Sequence, residues 1–332
     1  MRPTLLKTTV SALVNKGRAV HIEGGPGLGK TQIVKQIADD AGIGFIHIHA
    51  PTLQPEDLAL PTTNGDRTKL RFVPSERFPL VGDTDTADTG IILIDELPQG
   101  DNSIQKTCAH MIQEGDLHGH RIKQGWTFVS TGNRATDRAG ANRILSHLRN
   151  RVTTLEFEPQ LDDWCQWAAG NDVDPHVISF VRFKPGLLND FDPQRDINPT
   201  PRAWVEGVSQ VLGAVPYEAE FETFKGAVGE GAAAEFTAFM KIARKLPDPD
   251  VVLLNPDKAE VPTDPSTLYA ISGAVAHRAS QQNFDRVMTY AKRLPPEFMV
   301  LVVRDAVNRD RTVAQTKAFQ DWTFNEGSKV LM

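Results

Sequence analysis

The chain has 332 residues, enough for about two domains and a large core, and its 40% apolar and 23% charged content is that of an ordinary globular protein. Its 42 acids against 36 lysines and arginines give a net charge of −6, which argues against a surface coated with basic nucleic-acid contacts. Its two cysteines, Cys108 and Cys165, have no metal-like spacing, and no apolar run is long enough to cross a bilayer, so a reducing, cytoplasmic setting without membrane contact is expected.

Residues 19–23 read as a strand. The run Gly24, Gly25, Pro26, Gly27, Leu28, Gly29, Lys30, Thr31 that follows has the spacing of a phosphate-cradling loop. Its glycines let successive N–H groups turn inward on phosphate oxygens, Lys30 adds a point charge and Thr31 offers a hydroxyl to Mg²⁺. Ile33 and Ile37 then carry helical spacing, so strand, loop and helix occur in the order that phosphate binding requires. The alternative, a glycine-rich turn matching by accident, must explain why every fixed position agrees.

A second strand is expected over 44–49. Between 53 and 80, Asn64-Gly65 is flanked by Leu58, Leu60, Leu70, Phe72 and Val73 in partial alternation, which predicts an inserted hairpin. The apolar strand at 90–94 ends on Asp95 and Glu96. Carboxylates there are costly unless cations or hydrogen bonds compensate, so Asp95 reads as a Mg²⁺ holder and Glu96 as the group that orients or deprotonates an attacking water. The plainer reading of the pair is an acidic helix N-terminus. Cys108 shares helical spacing with Ile104, Met111 and Ile112 and reads as core, while His118 and His120 flank a turn and receive no chemistry.

The strand at 126–131 runs into Gly132-Asn133-Arg134, where the Asn133 amide can reach both a γ-phosphate and its attacking water. Arg134, Arg138, Arg143, Arg149 and Arg151 precede or lead into a last strand at 152–157. They read as a guanidinium source for a neighbouring subunit's nucleotide, as a DNA-contacting patch, or as a solvated cluster. Together the strands predict a parallel sheet with helices on both faces and its ligand at the carboxyl ends.

After Pro159 the pattern turns helical: 161–169, 175–182, 201–212 and 221–246, with loops at 247–250 and 255–265 and a further helical block from 268 toward 294. Trp164 and Trp167 read as packing residues. Arg202 follows Pro201 at a helix start and is aimed from it. The expected domains are an α/β nucleotide-binding domain at 1–159, a helical lid at 160–247 and a mainly helical extension at 248–332.

Read in order, the phosphate loop, IILIDE, STGN, LRNR and TPRAW resemble an AAA+ ATPase, most closely of the MoxR branch, over about residues 15 to 212. Asp95-Glu96-Leu97, Ile104-Gln105 and the run from Met111 to Gly115 are similar to the MoxR pattern, and the hairpin is similar to that family's insert. The chain departs from it at Val152, where phenylalanine is common, and at Arg134, where proline is. The resemblance implies that Lys30 and Thr31 bind ATP and Mg²⁺, that Asp95 and Glu96 are the Walker B pair, and that Asn133 is sensor 1. It makes Arg151 the arginine finger, with Arg149 as its possible assistant, and Arg202 sensor 2. It also implies a homo-oligomeric ring, commonly a hexamer, that remodels or activates a protein client, often one with a von Willebrand factor A domain. The competing readings are a DNA-linked or clamp-loader-like AAA+ motor and an ATP-gated assembly scaffold with little turnover.

Overall fold

The computed structural model describes residues 1–134 and 144–325. The chain divides into two compact units, the first Met1–Pro159 and the second from Gln160 onward.

The first unit runs α1 (Pro3–Val14), β1 (Val20–Glu23), α2 (Lys30–Ala41), β2 (Gly44–His49), α3 (Pro55–Leu58), β3 (Ala59–Thr63), β4 (Leu70–Pro74) and β5 (Thr89–Asp95). It continues with α4 (Asn102–Glu114), β6 (Asp116–Leu117), β7 (His120–Arg121), β8 (Gly125–Gly132), α5 (Ser146–Arg149) and β9 (Thr153–Glu156). Five strands form one sheet in the order β2-β5-β8-β1-β9, every pair parallel. Because alternate side chains of a strand face opposite sides, β5 feeds both cores. Ile91 and Leu93 pack with Leu6 and Val10 of α1 and Val34 and Ile37 of α2, whereas Ile92 and Ile94 pack with Ile104, Cys108 and Met111 of α4. This is the expected P-loop α/β layering, with helices on both faces of a buried parallel sheet. Cys108 is core, and burial raises its thiol pKa to about 12.

The expected insert is the antiparallel pair β3–β4, in register from Ala59 opposite Pro74 to Thr63 opposite Leu70. Its connection is longer than a two-residue Asn-Gly turn: the Asn64 side-chain oxygen accepts from the Lys69 N–H, and Arg67 sits at φ 57°. Leu60, Leu70 and Val73 are exposed on this hairpin. A second small hairpin, β6–β7, holds His118 and His120. His118 stacks on Phe72 with ring centroids 4.3 Å apart and His120 Nε2 lies 2.9 Å from the Phe72 carbonyl oxygen, so these histidines tie the two hairpins together.

The second unit is helical, with α6 (Leu161–Ala169), α7 (Pro175–Phe183), a π-helical turn (Ala203–Ser209), α8 (Tyr217–Val228) and α9 (Glu230–Ala243) around Phe180, Trp204, Phe224 and Phe236. A second cluster joins α10 (Pro249–Leu254), α11 (Pro265–Arg278), α12 (Phe284–Ala291), α13 (Pro296–Arg309) and α14 (Lys317–Asn325). Two expectations need correction. The helical stretch at 221–246 is split at Gly229, whose φ 84°, ψ 160° no other residue adopts easily. Residues 247–250 open a helix: the Asp248 side chain accepts from the Asp250 N–H and caps α10, with Pro249 at its first position.

Candidate nucleotide site

The site is built where β1, β5 and β8 end. The loop after β1 is fastened to its neighbours: Gly24 N–H donates to the Gly132 carbonyl at 3.2 Å and Phe157 N–H to the Glu23 carbonyl at 2.7 Å. Gly24 is required here, because a Cβ on it would lie 2.9 Å from the Phe157 carbonyl oxygen. Gly25, Pro26, Gly27 and Leu28 carry the loop to Gly29, which caps α2. The buried Lys30 ammonium donates to the carbonyls of Gly24 (2.8 Å) and Gly25 (2.7 Å) and to Asn133 Oδ1 (2.9 Å). One cation thus ties the loop to the residue just beyond β8, leaving oxygen partners that phosphate oxygens can replace.

At the end of β5, the Asp95 carboxylate accepts from Thr31 Oγ1 at 2.8 Å and from Thr131 Oγ1, and His47 Nε2 lies 3.1 Å from its Oδ2. Burial pushes its pKa upward, but the bonds from Thr131, Thr31 and His47 outweigh that and hold it below the usual carboxylate value. Thr131 also accepts from the Glu96 N–H at 3.0 Å. Glu96 needs that anchor: it sits in the left-handed region at φ 53°, ψ 38°, a conformation costing about 1–2 kcal/mol for a residue with a side chain. His49 Nε2 lies 3.4 Å from Glu96 Oε2. Thr31 and Asp95 supply hard oxygen donors suited to Mg²⁺, and the α2 N-terminus with Lys30 suits a polyphosphate, so the residues fit both groups.

Lys30, Thr31, Asp95, Glu96 and Asn133, separate in sequence, therefore converge. The arginines are distributed differently. Arg149, in α5, pairs in its own chain with Glu23 at 3.0 Å, and Arg134 pairs with Glu156 at 3.3 Å. Arg151, just before β9, lies at the opposite end of the sheet and makes no ion pair among the described residues. Arg138 and Arg143 lie outside the described residues. Arg202 belongs to the second unit, exposed at the start of the π-helical turn.

Four participants escape a reading of the sequence alone. Thr131 lies inside an apolar strand and looks like filler. His47 and His49, two apart and so on one side of β2, gain meaning only because β2 pairs with β5, which sequence does not reveal. His21 is fully buried, with Nδ1 2.8 Å from Ser130 Oγ and Nε2 without a hydrogen-bond partner among the described residues. Burial, with help from the Arg149 and Lys30 charges, lowers its pKa to about 4, so it is neutral in the fold.

Residues 20–156 match the ATPase family associated with various cellular activities (AAA), a span running from the first residue of β1 to the last of β9. No protein of curated function matches the chain. Among solved structures, it is similar to a RuvB mutant from Thermotoga maritima, at 14% identity and TM-score 0.40 over 81% of this chain and 80% of that one. It is also similar to NtrX from Brucella abortus in complex with ADP, at 15% identity and TM-score 0.36 over 96% of this chain and 65% of that one. No helix among the described residues is long and apolar enough to cross a membrane. The converged cluster at the strand ends lies within the span that matches the AAA family model.

Proposed function

We propose that the chain is a Mg²⁺-dependent ATPase of MoxR-like AAA+ type, forming a cytoplasmic homo-oligomeric ring, commonly a hexamer, that remodels or activates a protein client. The observation carrying this reading is the convergence of Lys30, Thr31, Asp95, Glu96 and Asn133 at the carboxyl ends of three adjacent strands.

On nucleotide binding, Lys30 exchanges its carbonyl partners for phosphate oxygens, and the loop amides with the α2 N-terminus complete the cradle. Thr31 and Asp95 would hold Mg²⁺, which would neutralise charge on the phosphates. Glu96 accepts a proton from the water whose oxygen bonds to the γ-phosphorus as the bond to the β-phosphate bridging oxygen breaks, giving ADP and phosphate. Asn133 orients that water. Arg151 acts on the nucleotide of a neighbouring protomer, a role it fits better than Arg149, whose charge is already neutralised by Glu23. Arg202 serves as the phosphate contact from the helical lid at 160–247, and residues 248–332 follow it as a mainly helical extension. A von Willebrand factor A domain protein is the partner that the MoxR resemblance suggests.

The neutralisation of Arg134 and Arg149 by acids of their own chain weakens the DNA-linked alternative. Isothermal titration of Mg-ATP into wild type and Lys30→Ala, with phosphate release measured alongside, tests the proposal. Wild type is expected to bind and turn over ATP and Lys30→Ala to do neither; equal binding by the two would contradict it.

A further inference from the structure

Gln105 takes no part in the nucleotide cluster, yet it is a polar side chain with 1% exposure inside the first unit. It stands one turn into α4, and its amide makes three hydrogen bonds. Nε2 donates to the Pro98 carbonyl at 3.2 Å and to the Gly100 carbonyl at 3.0 Å, and Oε1 accepts from the Leu145 N–H at 3.3 Å. A primary amide offers two donors and an acceptor in one neutral plane, a set that neither a carboxylate nor a thioether reproduces.

The two ends of this bridge lead to different parts of the chemistry. Pro98 and Gly100 belong to the tight turn that follows Glu96, in which the Gln99 N–H donates to the Glu96 carbonyl at 2.9 Å and the Gly100 N–H to the Leu97 carbonyl at 3.1 Å. That turn has little slack: a Cβ on Gly132 would lie 2.7 Å from the Pro98 ring, and one on Gly100 would lie 3.0 Å from Ala50 Cβ. Leu145 is the N-cap of α5, and hydrogen bonds run on from it to Arg151. The N–H groups of Leu148 and Arg149 donate to the Leu145 carbonyl, and the Arg151 N–H donates to that of Leu148. Ile144 and Leu148 are buried in the cluster that holds Ile104 and Cys108 of α4, so the segment is seated on that helix as a unit. A buried amide held at three points passes a displacement of one partner to the others, since slipping from any of them leaves a donor or acceptor unpaired in the core.

We propose that Gln105 is a positioning residue with two outputs: it sets the turn that presents Glu96 to the attacking water of its own site, and through Leu145 and α5 it sets Arg151 for the nucleotide of a neighbouring protomer. The proposal rests on the roles of Glu96 and Arg151 given above and adds the residue that keeps them in step. A displacement of about 1 Å at a catalytic group costs on the order of 10²-fold in rate. Loosening either end should therefore lower turnover, while ATP affinity, set by the Lys30 contacts, holds.

Subunit mixing separates the two outputs. Wild type in an excess of Lys30→Ala protein, whose own loop cannot hold nucleotide but whose Arg151 is intact, gives the reference turnover. Gln105→Met in the same excess reads the own-site output and should be at least about 10-fold slower. Wild type in an excess of Lys30→Ala/Gln105→Met reads the neighbour output and should also be at least about 10-fold slower. Leu145→Pro removes the N–H end of the bridge at φ −57°, which proline adopts without strain, and so supplies a test that does not depend on Gln105→Met folding. Placed in the Lys30→Ala protein it should slow wild type, whereas carried by the hydrolysing subunit it should not. Pull-down of the excess subunit on tagged wild type verifies that each assembly is mixed, and fluorescent-ATP affinity should stay within about twofold of wild type in every hydrolysing variant. Reference turnover by wild type beside both Lys30→Ala/Gln105→Met and Lys30→Ala/Leu145→Pro would overturn the proposal, leaving Gln105 a cap of the turn and the nucleotide reading intact. Wild type that fails to bind Mg-ATP would overturn both.

Discussion

Replacing Thr131 by valine keeps the side-chain volume and removes one hydroxyl at the centre of the site. That hydroxyl donates to Asp95 and accepts from the Glu96 N–H at 3.0 Å, in a position with no solvent exposure. Losing a bond to a charged acceptor costs about 1.5–3 kcal/mol, and the Glu96 N–H left without its partner adds about 1–3 kcal/mol. The two effects share one group and are not additive, so a net destabilisation of about 3 kcal/mol is expected. The expected functional loss follows from the proposed role of Glu96: without its anchor, Glu96 should relax from φ 53° and its carboxylate should no longer be held where that role needs it. Turnover should fall about 10- to 100-fold, while nucleotide affinity changes little because the Lys30 contacts are untouched. Urea unfolding, steady-state phosphate release and fluorescent-nucleotide titration measure the three quantities, and Thr131→Ser should recover most of each. A Thr131→Val protein with wild-type turnover and an unshifted unfolding midpoint would refute the reasoning.

Three further outcomes are expected. Because His21 titrates near pH 4 in the fold and near 6.5 when unfolded, stability is full above pH 6.5 and falls as pH drops toward 4. Over that window the unfolded chain takes up a proton that the fold refuses, a loss on the order of 3 kcal/mol. Urea unfolding at pH 7 and 5 should show this drop in wild type and a smaller one in His21→Gln; equal slopes would contradict it. Gly24→Ala places a Cβ 2.9 Å from the Phe157 carbonyl oxygen and should weaken ATP binding at least about 10-fold by calorimetry, since the loop must shift to clear the backbone. Arg151→Ala should lower turnover by about 10³ with recovery on mixing with Lys30→Ala protein. Arg149→Ala, which breaks only a contact within its own chain, should show no such recovery.

The strands were legible because each is a short apolar run between glycines or polar residues, and the phosphate loop because its spacing is fixed by phosphate geometry. Strand order was not: the neighbours of β5 are set by tertiary packing, and with them the approach of His47 to Asp95 and of His49 to Glu96. The helix at Pro249–Leu254 was readable in principle from Asp248-Pro249, a capping residue followed by a proline suited to the first turn, although the two prolines invite a loop reading. The break at Gly229 was similarly present as a glycine within an apolar-periodic stretch, where a lone glycine is often tolerated. Arg149 and Arg151 are indistinguishable on paper, and only the pairing of Arg149 with Glu23 separates them. Thr131 carried no signal at all, because a hydroxyl within a strand announces nothing until its two partners are placed.

The most direct test of the account is a single-turnover experiment on Glu96→Gln beside wild type, following bound γ-labelled ATP and released phosphate on the same sample. Glu96→Gln should hold ATP about as tightly as wild type and release phosphate at least about 100-fold more slowly. Phosphate release at the wild-type rate from Glu96→Gln would contradict the central claim that this carboxylate, held at the end of β5 beside Asp95, activates the attacking water.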